Sequence, residues 1–90
     1  MVEIEEILNS KLRLRILKVL CKENEINITA LTRKVNSSHV QTMYHVDFLE
    51  KVGFVEVKRY SRLKIVRLKV GNPLVKKLCD ILNKYATEST

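Results

Sequence analysis

Apolar residues recur along this chain with two different periods, and the change of period separates predicted helices from predicted strands. Between Leu12 and Leu20 they recur at spacings of three and four, which predicts an amphipathic helix capped by Ser10. Ile26-Asn27-Ile28 alternates over three residues, which is long enough only for a small edge strand. Thr29 is a good cap for a second, short helix over residues 30–35.

A third helix is predicted over residues 38–52, and both of its ends carry recognisable signals. Ser38 and Gln41 match the S-x-x-Q capping box, in which side chains satisfy free amides of the first turn. Gly53 suits the left-handed residue that closes a helix. One face of this helix is expected to pack against the first helix, and that face carries Thr42, Val46 and Leu49.

The rest of the chain is predicted to form two strands and a last helix. Apolar and charged residues alternate over residues 54–60 and 63–70, around a turn at Ser61-Arg62. Asn72 is a natural cap and Pro73 a natural first residue for the helix that follows. The apolar face of the strands carries Val55, Val57, Val66, Leu68 and Val70. The last helix carries one apolar stripe, made of Leu74, Val75, Leu78, Ile81, Leu82 and Tyr85.

These elements predict a single domain over residues 1–90, of α+β class and mostly helical. Residues 1–9 form a lead-in, residues 10–70 the core and residues 72–87 the C-terminal helix. Two helices joined by a tight turn and followed by a β-ribbon make a winged helix-turn-helix with a two-stranded wing. The apolar stripe of the last helix is wider than this core can bury, so the chain is expected to form a homodimer through that helix. The predicted interface contains Ile4, Ile7, Leu74, Leu78, Ile81, Leu82 and Tyr85.

Two segments of the core resemble a known family. Residues 10–20 (SKLRLRILKVL) and 42–55 (TMYHVDFLEKVGFV) resemble the first and third helices of the ArsR-like and related archaeal winged-helix transcription regulators. The resemblance covers residues 10–70 and implies a DNA-binding homodimer with the third helix in the major groove. Metal-sensing members carry cysteine pairs in the third helix or acid and histidine clusters in the last. This chain has only Asp80 in its last helix, so no metal or cofactor is expected.

The balance of charge favours a polyanionic partner. Seventeen Lys and Arg against ten Asp and Glu give a net charge of +7, and residues 57–79 hold eight Lys or Arg and no acid. A charge run is usually a solvated surface, but this one includes a hairpin tip, where arginines enter a minor groove or hold the DNA backbone. No apolar run approaches the roughly 20 residues that span a membrane, and the acidic start is unlike a signal peptide. A cytoplasmic protein is therefore expected.

The outer face of the third helix is predicted to meet double-stranded DNA. Gln41 is suited to pair with adenine or a phosphate, and Val40 and Met43 to touch thymine methyl groups. Part of this face has an alternative interpretation as core, and Met43 is open between the two. The predicted DNA-binding residues are Arg33, Lys34, Ser37, His39, Val40, Gln41, Met43, Tyr44, Lys58, Arg59, Arg62 and Lys64.

The cysteines and histidines do not predict a metal site. Cys21 and Cys79 are far apart and each lies in an apolar helical pattern, which predicts two buried, small hydrophobic side chains. A bridge between the Cys79 residues of two copies is the alternative. His39 and His45 lack a third ligand, so His39 is expected near a phosphate and His45 is expected to donate a hydrogen bond at the edge of the core.

The sequence carries no nucleophile–base pair, glycine-rich phosphate loop or pair of carboxylates, so no enzyme is predicted. The predicted function is sequence-specific DNA binding by a homodimeric regulator of archaeal type that represses by occluding a promoter. Two alternatives stay open. One is a winged helix used for protein–protein contact in a larger assembly, and the other is a sequence-neutral chromatin protein with little preference among duplexes.

Overall fold

The computed structural model describes residues 4–88, and it describes the side chains of residues 5–84. The side chains of Ile4 and Tyr85, both predicted at a dimer interface, therefore lie outside the described part. The helices are α1 (Ile4–Leu8), α2 (Lys11–Glu23), α3 (Ile28–Lys34), α4 (His39–Lys51) and α5 (Pro73–Glu88). The strands are β1 (Glu25–Asn27), β2 (Val55–Tyr60) and β3 (Leu63–Leu68).

The three strands form one antiparallel sheet in the order β1-β3-β2. β2 and β3 are the predicted hairpin, and Val57 lies opposite Val66 within it. β1 pairs with the other edge of β3, where Ile26 also lies opposite Val66. The domain is α+β and mostly helical, as predicted, but its sheet has three strands instead of two, because the short edge strand finds a partner in β3.

The core lies between the helices and the inner face of the sheet. Alternate residues of the hairpin enter this core, namely Val55, Val57, Val66 and Leu68. The predicted alternation extends to Val70, but Val70 is 64% exposed. β3 ends at Leu68, so the chain leaves the sheet before it reaches Val70.

Two helices of the core begin at side-chain caps. The Ser10 hydroxyl accepts a hydrogen bond from the Arg13 amide at 3.1 Å, so α2 starts where the sequence predicts. For α3 the cap is Asn27 and not Thr29, since the Asn27 side-chain oxygen accepts from the Ala30 amide at 2.9 Å. Asn27 thus both ends β1 and caps α3. The helix therefore starts at Ile28, two residues earlier than predicted, and Thr29 is exposed in its first turn.

The end of α4 is joined to the start of α5. Gly53 has a φ of 84°, and the amides of Gly53 and Phe54 donate to the carbonyls of Glu50 and Leu49 at 3.1 and 2.9 Å. These two bonds are those of a Schellman motif, so the predicted glycine stop is confirmed. The Asn72 side-chain amide donates to the Gly53 carbonyl at 3.1 Å, while its oxygen caps α5 as predicted.

A disulfide bond joins Cys21 of α2 to Cys79 of α5, with their Cα atoms 5.3 Å apart. The predictions of two separate buried thiols and of a Cys79 bridge between copies are therefore wrong, because neither cysteine is free. The two residues are 58 positions apart in the chain, so no local pattern indicates the pair. They meet because α5 packs back onto α2, and the bond holds the C-terminal helix to the core.

Candidate nucleic-acid interface

α4 presents one face to the core and the opposite face to solvent. Thr42, Val46 and Leu49 are fully buried, as the helical pattern predicts. Val40 and Tyr44, one turn apart on the outer face, are 78% and 66% exposed. They are the two most exposed large apolar side chains in the described part of the chain. The outer face of α4 is therefore accessible to a partner, as a recognition helix requires.

Two serines fix the first turn of α4. The Ser38 hydroxyl accepts from the Gln41 amide at 3.1 Å, which confirms the predicted cap. The Gln41 side chain does not complete the capping box, because its oxygen accepts from the Ser37 hydroxyl at 3.0 Å. This bond holds the exposed Gln41 side chain at the edge of the outer face, and His39 is exposed in the same turn.

Met43 and Phe48 lie between the two faces of α4. Both side chains are partly buried and pack against the core. Of the two interpretations of Met43, the structure favours the core over the DNA-facing surface. The outer face near the start of α4 consequently has Val40 and Tyr44 as its displayed apolar residues.

A buried arginine lies beneath α4. Arg13 is 8% exposed, its guanidinium lies 3.9 Å from the centre of the Phe48 ring, and it donates to the Glu6 carbonyl of α1. Arg13 thus links α1, α2 and α4, although the apolar pattern of the sequence places Leu12 and not Arg13 on the inner face of α2. The signal was present, because the buried residues of α2 recur at spacings of three and four: Arg13, Ile16, Leu17 and Leu20. Hydrophobicity favours Leu12 instead, although Leu12 is only partly buried.

The surroundings of His45 favour its neutral form. Burial, and secondarily the charge of Arg13, lower the pKa of His45 below its ordinary value. Its Nδ1 is buried without a hydrogen-bond partner, and no hydrogen bond from this side chain occurs within the described residues. The predicted donation at the edge of the core is therefore wrong. The Tyr44 ring packs edge-on to the imidazole, with ring centres 5.2 Å apart.

Acidic side chains neutralise part of the charge of the hairpin. Four ion pairs are present among the described residues: Arg67–Glu25 and Arg67–Glu56 at 3.6 Å, Arg59–Glu50 at 3.7 Å and Lys58–Glu56 at 4.0 Å. Glu25 lies on β1 and Glu50 on α4, so the fold brings acids to a segment that is nearly all cationic in the sequence. The charge available to a partner is smaller than residues 57–79 suggest.

The tip of the hairpin keeps its charge. Arg62 is exposed, and neither it nor Lys64 has an ion pair within residues 4–88. Ser61 takes a φ of 56° in the turn, and Tyr60 and Leu63 on either side are about half exposed. The unpaired cations of the hairpin are therefore concentrated at its tip.

Further polar and basic groups lie at the turn between α3 and α4. Arg33 and Lys34 are exposed at the end of α3, and Ser37 is partly exposed just before α4. The Arg15 guanidinium donates to the Val35 carbonyl at 3.1 Å and so fixes this turn to α2. These residues therefore lie beside the N-terminal end of α4.

An apolar groove lies between α5 and the first two helices, with a volume of about 430 Å³. We name it the C-terminal groove, and it is lined by Leu8, Leu14, Leu74, Lys77, Leu78, Ile81 and Leu82. Leu74 and Ile81 are 45% and 52% exposed, whereas Leu78 and Leu82 are buried in the core of the chain itself. Ile7, predicted at the interface, is fully buried in the same core because α1 packs onto α2.

Neither a metal-binding cluster nor a membrane-spanning helix occurs among the described residues. No group of three or more His, Cys, Asp or Glu side chains in residues 4–88 could hold a metal ion. No helix in that part of the chain combines the length and the apolar character needed to cross a bilayer.

No protein-family model matches this chain, and no curated protein sequence matches it. Solved structures do match. The crystal structure of AF1382 from Archaeoglobus fulgidus is 25% identical with a TM-score of 0.70, over 92% of this chain and 97% of that one. The antimony-specific transcriptional repressor AntR is 18% identical with a TM-score of 0.79, over 93% of this chain and 74% of that one. The homodimeric winged helix-turn-helix DNA-binding domain of Mb0332 from Mycobacterium bovis is 21% identical with a TM-score of 0.72, over 94% of this chain and 76% of that one. Since these likenesses extend over almost the whole chain, the chain has the winged helix-turn-helix fold.

Proposed function

We propose that this protein binds double-stranded DNA sequence-specifically as a homodimeric transcription regulator. The observation that carries the proposal is the exposed outer face of α4 beside a hairpin with unpaired cations at its tip. The net charge of +7 favours a polyanion. AntR is a transcriptional repressor and the Mb0332 domain a homodimeric DNA-binding domain, so the shared fold supports the same role here.

The outer face of α4 enters the major groove with its first turns, which is how a recognition helix contacts base edges. Gln41 and Tyr44 face the bases and the adjoining sugars, and His39 lies near a phosphate. The Ser37–Gln41 hydrogen bond supports this arrangement, because it orients the amide before any base is present. Interactions formed in advance reduce the ordering that binding requires.

The DNA backbone is held on both sides of α4. Arg62 and Lys64 at the hairpin tip approach it directly, while Arg33 and Lys34 approach it from the end of α3. Lys58 and Arg59 exchange their carboxylate partners for phosphates, which is feasible because both ion pairs are exposed and weak. These contacts fix the register of the protein on the duplex and carry little sequence information.

The C-terminal groove is the proposed homodimer interface. Leu74 and Ile81 border an apolar groove that has no partner within the described chain, and such surfaces are typical of association sites. A two-fold pairing of α5 helices would bury the groove of each copy and place two α4 helices about 34 Å apart, one turn of DNA. Repression by occlusion follows, since a dimer on a palindrome near a promoter excludes the basal machinery.

A DNA-binding regulator acts where the DNA is, so we place the protein in the cytoplasm. A disulfide within a cytoplasmic protein is unusual in mesophiles but common in hyperthermophilic archaea and bacteria. The Cys21–Cys79 bond therefore supports the archaeal resemblance of the sequence.

Selection of bound duplexes from a random library tests the proposal most directly. A recovered palindrome supports a homodimeric regulator, and its affinity should exceed that for random duplexes by about 1,000-fold or more. Binding without preference would make this a chromatin protein instead. No binding to any duplex would favour a protein–protein contact module.

A matched pair of variants assigns the recognised surface. Gln41→Ala should reduce affinity for the selected duplex more than for random duplexes, because a good base contact contributes about 1–3 kcal/mol of discrimination. Val70→Ala changes another exposed side chain, one that lies beyond the end of β3, and it should alter the affinity for neither duplex. Equal losses on both duplexes for Gln41→Ala would move Gln41 to the backbone contacts.

A further inference from the structure

A shallow depression lies on the outer face of α4, at its N-terminal end. Its volume is about 520 Å³, and it is lined by Leu12 of α2 and by Val40, Gln41, Tyr44 and His45 of α4. We name it the N-terminal depression. Val40 and Tyr44 form its exposed walls, and the partly buried Leu12 and His45 close its inner side. It therefore opens on the surface that would face the bases.

The lining carries no charge at neutral pH. Leu12 and Val40 are aliphatic, and Tyr44 contributes an aromatic ring. Burial and the charge of Arg13 lower the pKa of His45, which favours its neutral form. Within α4, Lys51 in the last turn is the only Lys or Arg in the sequence, so its first turns offer no bidentate cationic contact to guanine. A phosphate gains little here, whereas an apolar group gains the removal of its surface from water.

Gln41 adds one directed polar contact at the rim of the N-terminal depression. Its oxygen accepts from the Ser37 hydroxyl at 3.0 Å, and its amide nitrogen has no partner within the described residues. A glutamine amide in a major groove pairs with N6 and N7 of adenine. Adenine and the methyl group of thymine are both displayed in the major groove of A·T pairs.

We propose that the N-terminal depression receives the C5 methyl group of a thymine, so that the start of α4 selects A·T pairs through this methyl contact together with Gln41. The proposal rests on the proposed function, since it requires α4 to lie in the major groove. It goes further by naming the chemical group that is recognised. Every C5-methylated pyrimidine presents the same group at that position.

Removal of that methyl group from the DNA gives the sharpest test. In the duplex recovered by selection, each thymine is replaced in turn by deoxyuridine, which keeps every hydrogen bond and lacks only the methyl group. At one thymine in each half-site the affinity should fall about fourfold, the equivalent of roughly 0.8 kcal/mol for one buried methyl group. Substitutions at the other thymines should have no effect.

The protein side of the contact is tested with the same duplexes. Val40→Ala should abolish the fourfold difference between thymine and deoxyuridine, because the wall that holds the methyl group is removed. Alanine is a good helix former, so α4 is kept. Val70→Ala, a matched change outside α4, should keep the full difference.

Each outcome decides the matter. A selected duplex in which no deoxyuridine weakens binding, or which contains no thymine opposite α4, overturns methyl recognition and leaves the proposed function standing. A deoxyuridine effect that persists in Val40→Ala overturns the assignment to the N-terminal depression. Failure to recover any preferred duplex removes the proposed function and this inference with it.

Discussion

α4 and α5 both display apolar side chains, but the surroundings of these side chains differ. Val40 and Tyr44 on α4 lie among exposed polar residues such as His39 and Gln41. Leu74 and Ile81 on α5 border a groove in which six of seven lining residues are Leu or Ile. An exposed apolar residue indicates a partner in both places, and its neighbours indicate the kind of partner. This difference supports duplex DNA at α4 and a second copy of the chain at α5.

The two helices are also held in different ways. α4 has a side-chain cap at its start, a Schellman motif at its end and three fully buried side chains on its inner face. α5 is held by its buried stripe, by the Asn72 bonds and by the Cys21–Cys79 disulfide. A reductant can break the disulfide without replacing any side chain.

The largest expected effect comes from removing that bond. Cys21→Ser with Cys79→Ser should lower the free energy of unfolding by about 4 kcal/mol, because a crosslink across 58 positions restricts the unfolded chain. Urea denaturation of the variant and of the reduced wild type measures the loss, and the two should agree. A reductant should leave the stability of the variant unchanged.

Under conditions in which the variant is folded, the salt dependence of its DNA binding should match that of the wild type. Equal stability with and without the bond would contradict the anchoring of α5.

Charge introduced into the C-terminal groove should separate the copies and leave α4 intact. Leu74→Glu with Ile81→Glu changes two side chains that are exposed within the chain, so each copy should still fold. Sedimentation should then show a monomer of 10.5 kDa. Affinity for a full palindrome should fall about 100-fold or more, because the second half-site is no longer held nearby.

The control for the groove is Val70→Glu, which adds one negative charge outside the groove and should stay dimeric. Leu78 and Leu82 are unsuitable for this test, since both are buried and a charge there would unfold the chain. A wild-type protein that sediments as a monomer at micromolar concentration would refute the dimer and the palindromic site together.

A smaller effect is expected at the hairpin tip, and it separates free from paired cations. The affinity falls as salt rises, and Arg62→Ala should make the slope of log affinity against log salt shallower by about 0.9, the value for one phosphate contact. Arg67→Ala is the control, because Arg67 is held between Glu25 and Glu56 and should change the slope less. Binding to one duplex at several salt concentrations gives both slopes. Identical slopes for the two variants would show that the tip is only a solvated surface.

The smallest effect is a pH dependence that originates at His45 of α4. The pKa of His45 is lowered in the folded state, so the unfolded chain, with its ordinary pKa of about 6.5, binds the proton more readily. Stability should be complete above about pH 6.5 and should decrease as the pH falls below it. Urea midpoints of the wild type and of His45→Gln at about pH 7.5 and 5.5 measure this, and the variant should lose less on acidification. An equal loss in both would contradict the lowered pKa of His45.

The sequence by itself determined the elements and their orientation toward the core. Ser10, Ser38, Gly53 and Asn72 mark helix ends through contacts with residues at most five positions away, apart from the additional Asn72–Gly53 bond. The inner face of α4 and most of the strand alternation follow from periodicity, which is a property of a single element. These features can be predicted from the sequence because they depend on contacts between residues close together in the chain.

The tertiary structure decided which distant groups meet. It paired Cys21 with Cys79, brought Glu50 to Arg59 and buried Arg13 against Phe48. It also buried Ile7 in the core, whereas the sequence pattern predicts Ile7 at the homodimer interface. Each of these contacts depends on how one element packs on another. The periodicity of a single element does not determine that packing. The available charge of the hairpin and the shape of both apolar surfaces are for that reason properties of the fold.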